Sequence, residues 1–137
     1  PKQTGAYGMV IPRFVTQALK NEPITVFGDG SQTRTFTYVK DVVSALMKLM
    51  DAERATGEVI NVGGVDEISI LDLARKIIDM TGSTSTIELV PYEKAFGKDF
   101  EDMQRRVPST EKLADITGSV PDKSLDYILE TVIDSLT

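Results

Sequence analysis

Apolar residues recur at helical spacing between Met9 and Lys20: Val10, Phe14 and Ala18, flanked by Ile11 and Val15, make one wide stripe. The spacing predicts a helix, with Pro12 in its first turn, where a missing N–H costs little. Asn21-Glu22-Pro23 ends it. Ile24-Thr25-Val26-Phe27 reads as a short strand and Gly28-Asp29-Gly30-Ser31 as a turn. Thr33 to Val39 alternates, with Thr33, Thr35 and Thr37 on one face and Arg34, Phe36 and Tyr38 on the other, which predicts a second strand. Helical spacing returns from Asp41 to Glu53, and Val42, Val43, Leu46, Leu49 and Met50 are its expected buried face.

Glu58 to Val62 reads as a strand that ends at Gly63-Gly64. Ser69 with Asp72 three residues on resembles a capping box. It opens a helix that runs to Met80 on Leu71, Leu73, Ala74, Ile77 and Ile78, with Gly82 as its stop. Thr86 to Val90 is a further strand. Pro91 to Val107 is polar and irregular, a long loop with room for one helical turn; loops of that length are functional or disordered. Thr110 to Thr117 predicts a short helix. Ser124 to Leu136 predicts a last one, with Leu125, Ile128, Leu129, Val132, Ile133 and Leu136 inward. Interleaved strands and helices give an α/β class over one domain, residues 1–137.

Composition narrows the chemistry. The 137 residues include no His and no Cys, so zinc-type metal sites, thiolate nucleophiles and disulfides are not expected. The lack of Cys fits a reducing cytoplasm. Net charge is −6, and Arg105-Arg106 is the only basic doublet, so no nucleic-acid partner is expected. No apolar run approaches the roughly 20 residues that cross a bilayer, so no membrane partner is expected either. A chain that opens on Pro1 is expected to be a piece of something longer.

No glycine-rich dinucleotide fingerprint opens a strand-to-helix unit, and no Tyr is followed four residues later by Lys. What remains is a candidate anion site. Arg34 follows the glycine turn, and Arg105 and Arg106 close the polar loop. Arg is always charged and presents a planar fork that matches phosphate oxygens. On residue types alone, Arg34 is either a ligand group or a salt-bridged surface residue, the Arg pair is more simply a solvated loop, and Phe27 is more simply core.

Three stretches carry a resemblance. Gly8-Met9-Val10-Ile11-Pro12-Arg13-Phe14 is followed by Ile24 to Val42, with its Gly-Asp-Gly-x-Gln-x-Arg-x-Phe core. Gly57-Glu58-Val59-Ile60-Asn61-Val62-Gly63-Gly64 and Arg105-Arg106-Val107-Pro108-Ser109 with Lys112-Leu113 come later. Together with Pro1-Lys2 they resemble the extended short-chain dehydrogenase/reductases that act on nucleotide sugars: epimerases, 4,6-dehydratases and glucuronate decarboxylases. The resemblance covers essentially the whole chain. It implies the carboxy-terminal substrate domain of such an enzyme, with small strands, packed helices and an incomplete sheet. The NAD-binding Rossmann domain and the catalytic Tyr-x-x-x-Lys would lie upstream of Pro1, so no catalytic residue and no NAD are expected on this chain alone. The strand at Glu58 to Val62 would join the absent domain's sheet and leave an edge here.

Carried over by position, the resemblance assigns Arg34 to the diphosphate. Val10, Thr25 and Phe27 go to the uracil or thymine base, Thr25 and Phe27 partly through backbone groups. Gln32 lies near the ribose and diphosphate, and Arg106 or Arg105 clamps the second phosphate. Lys2 stands where Arg is usual and Ser109 where Asp is usual. The implied partner is a UDP- or dTDP-sugar, and the implied parent is a homodimer that oxidises its sugar transiently at C4 with NAD. Pro91 to Pro108, with Phe100-Glu101-Asp102-Met103, leans toward the epimerase and decarboxylase branches. The alternatives are a stand-alone, non-catalytic nucleotide-binding module and an assembly module that uses its spare strand edge.

Overall fold

A computed structural model describes residues 9–96 and 102–137. The readings placed on Pro1-Lys2, Gly8 and Phe100-Glu101 lie outside the described residues. The elements run α1 (Val10–Leu19), β1 (Ile24–Phe27), β2 (Thr33–Thr35), α2 (Val39–Met50), a 3-10 turn (Glu53–Ala55), β3 (Glu67–Ser69), α3 (Ile70–Thr81), β4 (Ile87–Val90), α4 (Tyr92–Phe96), β5 (Arg105–Arg106), α5 (Glu111–Thr117) and α6 (Leu125–Leu136). The α/β class holds, with small, open sheets: β1 pairs with β4, and a second sheet has the order β3-β2-β5.

The chain forms two compact units. The first takes the described residues up to Thr33, those between Ile68 and Arg105, and Leu129–Thr137. Its sheet is the parallel pair β1 and β4, in register from Ile24 opposite Ile87 to Phe27 opposite Val90. Helices α1 and α3 pack on β1 and on each other. The predicted stripe of α1 supplies Ile11, Phe14, Val15 and Ala18, and α3 supplies Ile70, Leu73, Ala74 and Ile77. Ile24, Val26 and Leu129 complete this core. Each of the larger of these side chains (Ile, Phe, Val, Leu) contributes about 1.5–3 kcal/mol when fully buried.

The ends of these helices follow from local chemistry. Pro12 sits in the first turn of α1, where the N–H it lacks would be an orphan anyway. Asn21 takes the left-handed region past its end, with φ of 53°. Its side-chain oxygen accepts from the Thr84 N–H at 2.9 Å. The Ser69 hydroxyl caps α3 by accepting from the Asp72 N–H at 3.0 Å, and Gly82 stops the helix in the left-handed region.

The second unit takes Arg34–Glu67 and Arg106–Ile128. Within it α2 packs against α5. Ala45, Leu113, Pro121, Leu125 and Ile128 are buried. Arg54 pairs with Asp115 at 2.6 Å and Lys112 with Glu58 at 2.8 Å, both on the surface. The Gly64 N–H donates to Thr37 Oγ1 at 2.6 Å.

Five expectations need correction here. The strand predicted for Thr33 to Val39 stops at Thr35. Tyr38 already accepts, through its carbonyl, from the N–H groups of Asp41 and Val42, so this backbone is winding into α2. Glu58 to Val62 forms no strand, because a strand exists only as a paired backbone and these residues have no ladder partner among the described residues. The expected buried face of α2 is largely open: Val43 is 54% exposed, Leu46 50% and Met50 81%. Periodicity identified an apolar face but not what covers it. The long segment from Pro91 holds α4 where room for one helical turn was expected, but it also carries the strand β5. In α6, Leu136 is exposed at the open end of its inward row.

Candidate functional site

Parallel pairing to β4 uses alternate backbone groups of β1. The Ile24 N–H donates to the Thr86 carbonyl and the Gly28 N–H to the Val90 carbonyl. The backbone groups of Thr25 therefore face the other edge. Side chains from α1 reach that edge. The Thr25 N–H donates to Gln17 Oε1 at 3.3 Å, and Gln17 Nε2 donates to Thr25 Oγ1 at 3.0 Å. Arg13 Nη2 donates to the Thr25 carbonyl at 3.1 Å. The Arg13 guanidinium also lies over the Phe27 ring, 4.4 Å from its centre, and 5.3 Å from that of Phe14. Burial lowers the Arg13 pKa, and its Nε is buried without a hydrogen-bond partner. No carboxylate among the described residues is paired with it.

The turn after β1 is fixed next. Asp29 Oδ1 accepts from the Ser31 N–H at 2.9 Å and from the Ser31 hydroxyl at 2.7 Å, an Asx turn. These bonds hold the exposed Asp29 carboxyl below its ordinary pKa. Gly28 and Gly30 both have positive φ, 72° and 75°. A Cβ on Gly28 would run into the Tyr92 ring, and one on Gly30 would meet Leu71 and Val26 at 2.9 Å. Only glycine satisfies the angle and the space at once. The turn is tied to the start of α3, where Leu71 N–H donates to the Gly30 carbonyl and Ile70 N–H to the Gln32 carbonyl.

Among the described residues of this unit, Gln32 is the buried polar side chain, 6% exposed. Its Nε2 donates to the Phe27 carbonyl at 3.0 Å and to Tyr92 Oη at 2.7 Å. Tyr92 Oη in turn donates to Asp102 Oδ2 at 3.1 Å. Gln104 Nε2 donates to the Ser31 hydroxyl at 2.9 Å, and the Thr33 N–H to the Gln104 carbonyl at 2.8 Å. Both ends of the segment after β4 are thus fastened to the glycine turn.

The sequence-predicted residues fall as follows. Val10, Thr25, Phe27 and Gln32 belong to the first unit, with Val10 half-buried one helical turn before Arg13. Arg34 and Arg106 belong to the second and stand on the adjacent strands β2 and β5; Arg34 is half-buried and Arg106 exposed. Arg105 belongs to the first unit and is exposed. Sequence reasoning missed Arg13, Gln17 and Tyr92. Arg13 and Gln17 lie at i and i+4 on α1, a shared face that was available as a signal. Nothing local marks Tyr92.

Residues 1–63 match the model of the NAD dependent epimerase/dehydratase family. The chain is 43% identical over 129 residues to the UDP-N-acetyl-alpha-D-glucosaminuronate decarboxylase of Bacillus cytotoxicus, across 94% of this chain and 40% of that protein. It is 36% identical over 118 residues to UDP-glucuronic acid decarboxylase 2 of Arabidopsis thaliana, across 86% of this chain and 25% of that protein. The chain therefore spans well under half the length of these curated relatives. Among solved structures, the UDP-glucuronic acid 4-epimerase of Bacillus cereus in complex with UDP-glucuronic acid and NAD superposes with a TM-score of 0.80 at 28% identity. That match takes in 94% of this chain and 40% of the epimerase.

Proposed function

We propose that this chain, a member of the NAD-dependent epimerase/dehydratase family, binds the nucleoside diphosphate of a UDP- or dTDP-sugar for an NAD-dependent epimerase, decarboxylase or dehydratase. The observation that carries the reading is the placement of Arg34 and Arg106 on the adjacent strands β2 and β5 of one unit. Two guanidiniums can neutralise a diphosphate that a chain of net charge −6 would otherwise repel. In this assignment Arg34 takes one phosphate and Arg106 the other, with Arg105 as the alternative partner. Val10, Thr25, Phe27 and Gln32, all of the first unit, are the residues we assign to the base and ribose.

The sugar we assign is a uronate, because the two curated relatives are named for glucuronate-type decarboxylation and the solved epimerase holds UDP-glucuronic acid. NAD is the cofactor of solved members of the family. The described residues of this chain do not fit it: none of the strand-to-helix junctions, from β2 to α2, β3 to α3, β4 to α4 or β5 to α5, contains a glycine that would let a pyrophosphate approach. Among the described residues no helix is long and apolar enough to cross a membrane.

Titration calorimetry of UDP into the chain and into Arg34→Ala tests the reading. Binding that weakens by about tenfold or more in the variant is expected for loss of a charge-assisted contact. Equal affinity in both proteins would remove Arg34 from the site.

A further inference from the structure

Helix α2 carries two apolar faces, and only one of them is covered. Ala45 is buried, Val42 and Leu49 are half-buried beside it, and α2 packs against α5. The other face lies about a third of a turn round the helix. It holds Val39, Val43, Leu46, Met47 and Met50, which are 67%, 54%, 50%, 57% and 81% exposed. A solvated helix face is ordinarily polar. At these exposures the five side chains offer on the order of 500 Å² of apolar surface, at the large end of what a monomer shows. All of them belong to the second unit, so this face is separate from the glycine turn and the base-end residues.

The spacing says what kind of partner fits. Val39, Val43, Leu46 and Met50 are separated by four, three and four residues, the alternation that lays one helix along another. No charged residue stands in this row. The row is also symmetric about its midpoint, between Ser44 and Ala45. Turned end for end, Val39 comes level with Met50, and Val43 with Leu46. Each layer then sets a short β-branched side chain against a longer, more flexible one, so the two fill one space. The helix dipoles oppose one another in the same arrangement. A contact closed by a two-fold axis requires such a patch, complementary to itself.

We propose that this face of α2 is an interface between two copies of this chain, packed antiparallel with the two-fold axis at the level of Ser44 and Ala45. The proposal does not depend on nucleotide binding. Two such faces bury about 1,000 Å², the lower bound of a specific interface. The pair is therefore weak, with a dissociation constant on the order of 100 μM. The chain is monomeric at the low micromolar concentrations of a denaturation experiment and paired when concentrated.

The test is sedimentation of the full chain over concentrations up to several times that constant, repeated for Leu46→Glu and Val59→Glu. The mass of the unsubstituted chain is expected to rise from 15.0 kDa toward twice that value and to stop there. Leu46→Glu places two carboxylates in the central layers and is expected to hold the mass at 15.0 kDa throughout. Val59 is apolar and 86% exposed but lies off α2, so Val59→Glu should associate as the unsubstituted chain does. Equal loss of association in both variants would mean general apolar stickiness and overturn the proposal. Growth of the unsubstituted chain past twice its mass overturns the two-fold contact. Should Leu46→Glu fail to fold, the unsubstituted chain still decides: a mass fixed at 15.0 kDa at every concentration overturns the pairing and leaves this face to a different partner.

Discussion

Gln32 Nε2 donates to Tyr92 Oη at 2.7 Å, joining the glycine turn to a residue 60 positions away. The same amide nitrogen donates to the Phe27 carbonyl, and Tyr92 passes the chain of bonds to Asp102. A residue assigned to the ribose end of the ligand is thus fixed by a side chain with no sequence relation to it. Tyr92→Phe keeps the ring beside Gly28 and removes the hydroxyl. The expected loss is about 1–3 kcal/mol, since a buried amide N–H of Gln32 is left without its partner. Urea denaturation measures it, and an unchanged midpoint would mean that the bond contributes nothing to the turn.

Gly28→Ala meets two obstacles, a φ of 72° and the Tyr92 ring. The left-handed region alone costs an alanine about 1–2 kcal/mol. The ring adds a second cost that Tyr92→Ala relieves. A double-mutant cycle on denaturation midpoints is expected to show Gly28→Ala less harmful in the Tyr92→Ala background. Strict additivity would show that the ring does not press on this position.

Acidity is expected to destabilise the fold. Ser69 and then Arg75 hold the Asp72 carboxyl below its ordinary pKa, Ser31 does so for Asp29, and Lys112 for Glu58. Each folded pKa lies below the unfolded one. The stability these groups contribute is therefore complete above about pH 5 and lost as pH falls through the folded values. The urea midpoint should be lower at low pH than near neutrality. Ser69→Ala removes the largest cause of the Asp72 shift, so its midpoint should depend less on pH. It also deletes the cap of α3, which costs about 1 kcal/mol at neutral pH. A pH dependence equal to that of the unsubstituted chain would contradict the assignment.

The corrected burial of α2 is tested by contrast. Met50 is 81% exposed, so Met50→Lys should change stability by no more than about 0.5 kcal/mol. Phe14 is fully buried, and Phe14→Ala should cost roughly 3–5 kcal/mol. Comparable losses for the two would mean that α2 is covered after all.

These contrasts show where sequence reading reached and where it stopped. The stripe Val10, Phe14 and Ala18 was legible because α1 buries the face its periodicity marks, and Ser69 and Gly82 bound α3 through local chemistry. Val43, Leu46 and Met50 misled because an apolar face says nothing of its cover. Glu58 to Val62, which the resemblance assigns to the sheet of a domain outside this chain, has no ladder among the described residues, because β propensity does not supply a pairing partner. At the candidate site, the turn Gly28 to Ser31 and the strand bearing Arg34 were legible as a contiguous motif. Arg13 and Tyr92 were not, since each acquires its role only when α1 and the segment after β4 are laid against β1.

The central claim, that this chain binds the nucleoside diphosphate, is tested most directly by following its backbone amide resonances during a UDP titration. Saturable shifts centred on Val10, Thr25, Phe27, Gln32, Arg34 and Arg106 are the predicted result. A spectrum unmoved by millimolar UDP, or shifts that leave these residues unmoved, would contradict it.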